Sequence, residues 1–122
     1  GWSNYSSNVQ AVCNWAGPTD FRPYYRSIDV FADFIGRDDE SEEKARLASA
    51  NVHLTSNDPP FLVMCGSEDD TLYFCRTFYS QLQNAGVYAE FDEIDGAGHE
   101  SNIFKQVVKA RVFFDRWLKD KK

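Results

Sequence analysis

Features that would announce a function outright are scarce in this sequence. Its 122 residues hold three cysteines and two histidines. Cys13, Cys65 and Cys75 are odd in number and lack metal-ligand spacing, so they read as free thiols, Cys13 and Cys65 inside apolar strands. The longest unbroken apolar run, Phe61 to Cys65, is far too short to cross a bilayer. At Gly1-Trp2-Ser3-Asn4 no basic stretch leads into an apolar one, so this start does not read as a signal peptide. Positive charge is also in short supply. The 13 Lys and Arg face 19 Asp and Glu, for a net charge of −6, which opposes nucleic-acid binding because phosphates demand clustered cations. Lys119, Lys121 and Lys122 read as a basic helix end, and Asp38 to Glu43 as an acidic helix start, each matched to the helix dipole. Gly17-Pro18-Thr19 is not a phosphate-cradling loop.

What is present is a globular composition, 43% hydrophobic and 16% aromatic, enough for one domain with a modest core. Val9 to Trp15 reads as a first strand, stopped by Gly17-Pro18. Residues 18–58 are mixed, with an apolar patch from Ile28 to Ile35 closed by Gly36 and a helix from about Ser41 to Ala50. This stretch is long for a simple crossover and reads as an insertion over one sheet face. Asn57-Asp58-Pro59-Pro60 is turn chemistry just ahead of a second strand. Phe61 to Cys65 is apolar without alternation, as in a parallel strand covered on both faces. Leu72, Cys75, Phe78, Tyr79, Leu82 and Ala85 recur at helical spacing from Thr71 to Ala85, and Gly86 ends that helix. From Val87 to Ile94, Val87, Ala89 and Phe91 alternate with Tyr88, Glu90 and Asp92, an edge strand with one wetter face. Ser101 to Leu118 reads as an amphipathic helix burying Ile103, Phe104, Val107, Val108, Phe114, Trp117 and Leu118. The expected fold is α/β, a mainly parallel sheet of about three strands with flanking helices and right-handed crossovers.

Two loops leave this sheet at the same end. Cys65-Gly66-Ser67-Glu68-Asp69-Asp70 follows the second strand, and Asp95-Gly96-Ala97-Gly98-His99-Glu100 follows the third. Sites in open parallel sheets form beyond the carboxyl ends of the strands. Neighbouring strands lie about 4.8 Å apart, so such loops can bring Asp69 to His99. A carboxylate on one imidazole nitrogen fixes the tautomer and supports the imidazolium, leaving the other nitrogen free to act as a general base on a hydroxyl. Gly66, Gly96 and Gly98 allow sharp turns near the reacting atoms. Asp69 also suits a cap on the following helix, with Asp70 as a second candidate. His53, the other histidine, lacks strand flanks and reads as structural or exposed.

Pro59 to Asp69 resembles the stretch leading to the acid in α/β-hydrolases of the esterase/lipase and prolyl-oligopeptidase-like group. Gly96-Ala97-Gly98-His99 resembles the histidine loop of that group. Val9 to Phe21 resembles the strand and loop after the nucleophile helix in acetyl-xylan- or feruloyl-esterase-like members. The resemblance implies that residues 1–122 are one partial domain, the C-terminal half of the fold, with 18–58 a cap-like insertion. It implies Asp69 as acid and His99 as base of a Ser-His-Asp triad, in the family order serine, acid, histidine. Trp15 and Phe21 are candidates for pocket or core. The Gly-x-Ser-x-Gly nucleophile motif and the His-Gly-Gly oxyanion loop have no match: Gly1-Trp2-Ser3-Asn4-Tyr5 begins like the former, but Tyr5 stands at its last glycine. Cys65 stands where many relatives have histidine, and Leu72-Tyr73 replaces a common Val-Pro. The reading is therefore the C-terminal portion of a serine carboxylesterase or lipase-like hydrolase, acting on a small ester without metal or organic cofactor. The serine would come from a missing N-terminal segment or a second polypeptide. The alternative is a non-catalytic truncated module that forms homo-oligomers through its exposed first strand.

Overall fold

The computed structural model describes residues 4–100 and 103–119. Its elements run β1 (Val12–Trp15), α1 (Asp29–Ile35), α2 (Ser41–Ala48), a 3-10 turn (Ala50–Val52), β2 (Phe61–Gly66), α3 (Leu72–Asn84), β3 (Ala89–Ile94) and α4 (Ile103–Leu118). Among the described residues the strands form one parallel sheet in the order β1-β2-β3. Val12 to Trp15 pair with Phe61 to Met64, and Phe61 to Gly66 with Ala89 to Ile94. This is the expected α/β architecture, with the unbroken apolar segment as central strand and the alternating one at an edge.

The two outer strands are shorter than the expected spans from Val9 and from Val87, for a common reason. Their partner strand is preceded by Pro59-Pro60, which have no N–H to give to either neighbour. Pairing begins at the end of this pair: the Pro60 carbonyl accepts from Val12 at 2.9 Å, and Phe61, the first donor after the prolines, donates to the Tyr88 carbonyl at 2.9 Å. Val9 is accordingly exposed, while Val87 is buried as a core residue outside the ladder.

The core has two sides. On one, Val63 and Cys65 of β2 pack against Cys75, Phe78 and Leu82 of α3, which obeys its expected spacing. Burial of each such large side chain contributes about 1.5–3 kcal/mol. On the other, Leu62 and Met64 meet Phe113 of α4, with Ala110, Phe114 and Trp117 around it. Here the expectation for α4 needs correction. Phe104, Val107, Val108 and Leu118 are exposed, and the row facing the sheet carries a wholly buried Gln106 instead. On the wet face of β3, Asp92 pairs with Lys109 and Glu90 with Arg116, so that flank of α4 lies toward β3. Val107, Phe114 and Leu118 share the opposite flank. Ser101 and Asn102 of the expected helix lie outside the described residues.

The stretch between β1 and β2 contains a helix that its mixed composition did not announce. In α1, Asp29 occupies the favourable first turn, and Ala32 and Ile35 are buried. Ile35 joins Tyr25 and Ala45 in a small separate core. Helix α2 stops at Ala48 rather than Ala50, passing into the 3-10 turn. The base of the stretch is closed by Asp20. Its carboxylate accepts from Arg22 Nε at 2.9 Å, Arg22 Nη2 at 2.8 Å and Asn51 Nδ2 at 3.0 Å. Arg22 foremost, working against partial burial, holds that carboxyl at about 2.

Candidate active site

The loops after β2 and β3 meet. Ser67 donates its N–H to the Ile94 carbonyl at 2.9 Å, and Glu68 donates to the Ala97 carbonyl at 2.9 Å. In return, Gly96 donates to Ser67 Oγ at 2.9 Å. The approach is close enough to require glycine at position 66: a Cβ there would lie 2.0 Å from the Ala97 carbonyl oxygen. Gly96 is needed for another reason, a φ of +66°. Gly98 is not constrained in either way, since a Cβ on it would meet nothing within 4 Å.

This stitching brings together the two residues singled out from the sequence. His99 Nδ1 lies 2.9 Å from Asp69 Oδ2, across 30 residues of chain. The other Asp69 oxygen, Oδ1, accepts the Thr71 N–H at 2.8 Å and the Thr71 hydroxyl at 2.7 Å. The carboxylate therefore pairs with the histidine and closes the turn ahead of α3, whose N-cap residue is Thr71 rather than Asp69. Asp70 is exposed. The Asp69 side chain is 2% exposed and that of His99 63%. Burial pushes the Asp69 carboxyl up, but the Thr71 hydroxyl, the Thr71 N–H and then His99 outweigh it and leave it below the ordinary carboxylate value. An ionised Asp69 fixes Nδ1 of a neutral His99 as the protonated nitrogen, and Nε2 is left as the acceptor.

His99 lines a cavity of about 480 Å³ between the α1 region and the start of α3. Its apolar wall is made by Tyr24, Ile28, Phe31, Tyr73 and Phe74. Tyr24 meets Phe74 edge-on at 5.2 Å, and Phe74 meets Tyr73 edge-on at 5.8 Å. None of these residues was signalled as part of a pocket; Tyr24, Ile28 and Phe31 fall in the cap-like stretch 18–58, whereas Tyr73 and Phe74 lie outside it. The two aromatics that were singled out do other work. Trp15 packs against both sides of the core, and Phe21 packs in the small core with Phe31 and Phe34 against it. His53 is exposed, its Nε2 lying 3.1 Å from the Leu47 carbonyl. Gly1 to Ser3, the start that resembles a nucleophile motif, lie outside the described residues. Among the described residues no group of His, Cys, Asp and Glu could hold a metal ion, and no helix is long and apolar enough to cross a membrane.

Known proteins similar to this one share its architecture and extend beyond it. The chain superposes on a truncated form of a carbohydrate esterase from gut microbiota with a TM-score of 0.71 and 25% identity, covering 93% of this chain and 45% of that one. It matches the acylaminoacyl peptidase of Pyrococcus horikoshii with a TM-score of 0.74 and 22% identity, over 96% of this chain and 21% of that one. A thermophilic esterase, Est2, of the planctomycete Thermogutta terrifontis gives a TM-score of 0.67 and 17% identity, with 98% and 48% covered. The chain thus spans less than half the length of each. No curated protein matches its sequence. The BD-FAE family model matches residues 2–82, well over half of the chain. With the three-stranded parallel sheet and these structural relatives, that match settles the family: the chain belongs to BD-FAE, a family of α/β-hydrolase esterases.

Proposed function

We propose that this chain contributes the acid and the histidine of a Ser-His-Asp triad to a serine carboxylesterase. The observation that carries the reading is the 2.9 Å contact between Asp69 Oδ2 and His99 Nδ1 at the carboxyl ends of adjacent parallel strands, beside an apolar cavity. His99 Nε2 takes the proton of a serine hydroxyl as its oxygen attacks the ester carbonyl. Asp69 supports the imidazolium, which then protonates the departing alcohol. Water repeats the sequence on the acyl-serine and releases the acid. The serine and the oxyanion-binding loop belong to a part of the protein outside these 122 residues, or to a second polypeptide. Residues 18–58 act as the cap that shapes the cavity. The substrate is a small acyl or carbohydrate-linked ester, a class that the name of the gut carbohydrate esterase supports.

The test is turnover of a short-chain nitrophenyl ester by the whole protein and by its His99→Ala variant. Turnover lost in the variant is expected. A whole protein that keeps the Asp69–His99 pair yet turns over no ester overturns the reading.

A second reading, a non-catalytic module that self-associates, has its own supporting observation. Among the described residues strand β1 pairs on one side, with β2, and the exposed Val107 and Leu118 of α4 lie away from β3. An open edge beside an apolar flank invites a second copy or the rest of a larger sheet. Sedimentation of the 122-residue chain at high micromolar concentration separates the two; a strictly monomeric chain rules out the second reading.

A further inference from the structure

We propose that Thr71 is a positioning residue of the acid–base pair: its hydroxyl, held in turn by the Cys65 thiol, immobilises the Asp69 oxygen that His99 does not use. The inference rests on reading Asp69 and His99 as that pair. An aspartate carboxyl turns easily about its last bond, because that torsion is broad and two-fold. One bond to a backbone N–H leaves the carboxylate plane free to swing. Two donors converging on the same oxygen, at 2.8 Å and 2.7 Å, do not, and the second oxygen is left aimed at Nδ1.

Hydrogen counting extends the chain by one member. The single hydroxyl proton of Thr71 goes to Asp69, so the 3.6 Å contact between Cys65 Sγ and Thr71 Oγ1 has the thiol as donor. Cys65 is 0% exposed, at the end of the central strand, and cannot trade this partner for water. Cys75 packs in the same core cluster within reach of both Cys65 and Thr71, and its thiol, pushed up to about 12 by burial first and by Cys65 next, stays protonated. The result is a row of neutral donors from Cys65 to Thr71 to Asp69, ending on His99. The hydrogen bonds that Thr71 gives Asp69 outrank those from His99 in keeping the acid ionised. A merely structural Thr71, closing the turn before α3, would contribute stability and leave the tautomer of His99 untouched. A positioning Thr71 controls that tautomer.

The experiment is ¹⁵N-imidazole NMR of the whole protein at pH 8, with kcat and KM on a short-chain nitrophenyl ester. It compares wild type, Thr71→Val, Thr71→Ala, Thr71→Ser and Asp69→Asn. We expect Thr71→Val and Thr71→Ala to shift His99 several-fold from the Nδ1–H toward the Nε2–H tautomer. We expect kcat to fall roughly 10-fold with KM within twofold, since a misplaced base costs rate rather than binding. Thr71→Ser should restore both. Should the valine variant not fold, the alanine variant keeps the turn and carries the comparison. Should neither fold, Cys65→Ala, which leaves Thr71 in place, must give a smaller shift in the same direction. Wild-type tautomer and kcat in a folded Thr71 variant, or in Cys65→Ala when it stands in, overturn the proposal. Asp69→Asn separates the two levels: if it too leaves the His99 nitrogens unchanged, the acid–base pair itself is wrong, and the proposed function falls with it.

Discussion

The two loops that meet beyond β2 and β3 carry their functional groups in opposite ways. Asp69 is built into the fold. Its side chain is 2% exposed, both oxygens are engaged, and the same residue closes the turn ahead of α3. His99 stands in the open at 63% exposure, supported through Asp69. On the proposed reading of Asp69 as acid and His99 as base, the contrast teaches which half of an acid–base pair a fold must specify. The acid has to remain ionised while cut off from water, which demands fixed donors in place of solvent. The base has to reach a substrate, so it can be held by one strong contact and left accessible.

The widest separation of the two is expected from truncating each. If the proposed function holds, His99→Ala should lower kcat of the whole protein by roughly 10⁴–10⁶-fold while changing unfolding free energy by no more than about 0.5 kcal/mol. Asp69→Ala should lose comparable activity and also cost about 2–4 kcal/mol, because Thr71 N–H and its hydroxyl are left without an acceptor. Ester kinetics beside urea unfolding reads both numbers. Equal stability losses for the two variants would erase the contrast.

Gly66→Ala strikes between the loops. Its Cβ would fall 2.0 Å from the Ala97 carbonyl oxygen and 2.6 Å from its carbon, so the histidine loop must retreat. Overpacking of this kind costs about 1–3 kcal/mol. A displacement near 1 Å at the reacting groups costs roughly 10²-fold in rate. Gly98→Ala, with open space around the added methyl, is the control and should leave kcat within a few-fold of wild type.

Most of the frame is legible in the sequence. The unbroken run Phe61 to Cys65 could only be a central parallel strand, and a polar residue shortly after each of two successive strands could only lie at one end of the sheet. What was not legible depended on relations between segments. The starts of β1 and β3 are set by two prolines in a third segment, Pro59 and Pro60. The buried face of α4 could not be chosen from its own periodicity, because apolar residues occupy both its core row and its outer flank. The docked flank is the one whose Arg116 and Lys109 reach Glu90 and Asp92 on β3, a relation between segments. Thr71 carries no motif of its own. Its meaning arises where the end of β2, the turn before α3 and the histidine loop converge. The aromatic wall of the cavity joins Tyr24 to Phe74 across fifty residues of chain and has no local signature either.

The buried acid should also leave a mark on acid stability. The folded Asp69 carboxyl lies below its ordinary value of 3.8, so between the two values the unfolded chain binds the proton and the folded one does not. The stability this provides is complete above about pH 4 and is lost as pH falls through the lowered folded value. Asp20, held at about 2 chiefly by Arg22, acts in the same direction over the window from 3.8 to about 2. Urea unfolding across this range should show a steep acid loss in wild type and shallower ones in Asp69→Asn and Asp20→Asn. An unchanged slope in Asp69→Asn would mean that Thr71 does not hold the acid ionised.

The smallest effect is expected on the far face of the sheet, where α4 is docked by Lys109 to Asp92 and Arg116 to Glu90. These cations are about half exposed, so each pair should contribute only about 0.2–1 kcal/mol and weaken with salt. Lys109→Met and Arg116→Met should therefore cost less than about 1 kcal/mol apiece in dilute buffer and almost nothing in 1 M salt. Their larger consequence is orientation. Without the pairs, nothing electrostatic keeps the Lys109 flank of α4 against β3, and the apolar flank with Val107 and Leu118 competes for the sheet. Hydrogen exchange along α4 reads this directly. Faster exchange in the double variant, with α3 unchanged, would show that the ion pairs choose the face, while Phe113 and Trp117 supply the bulk of the adhesion. Unchanged exchange along α4 would mean that packing around Phe113 selects the face without them.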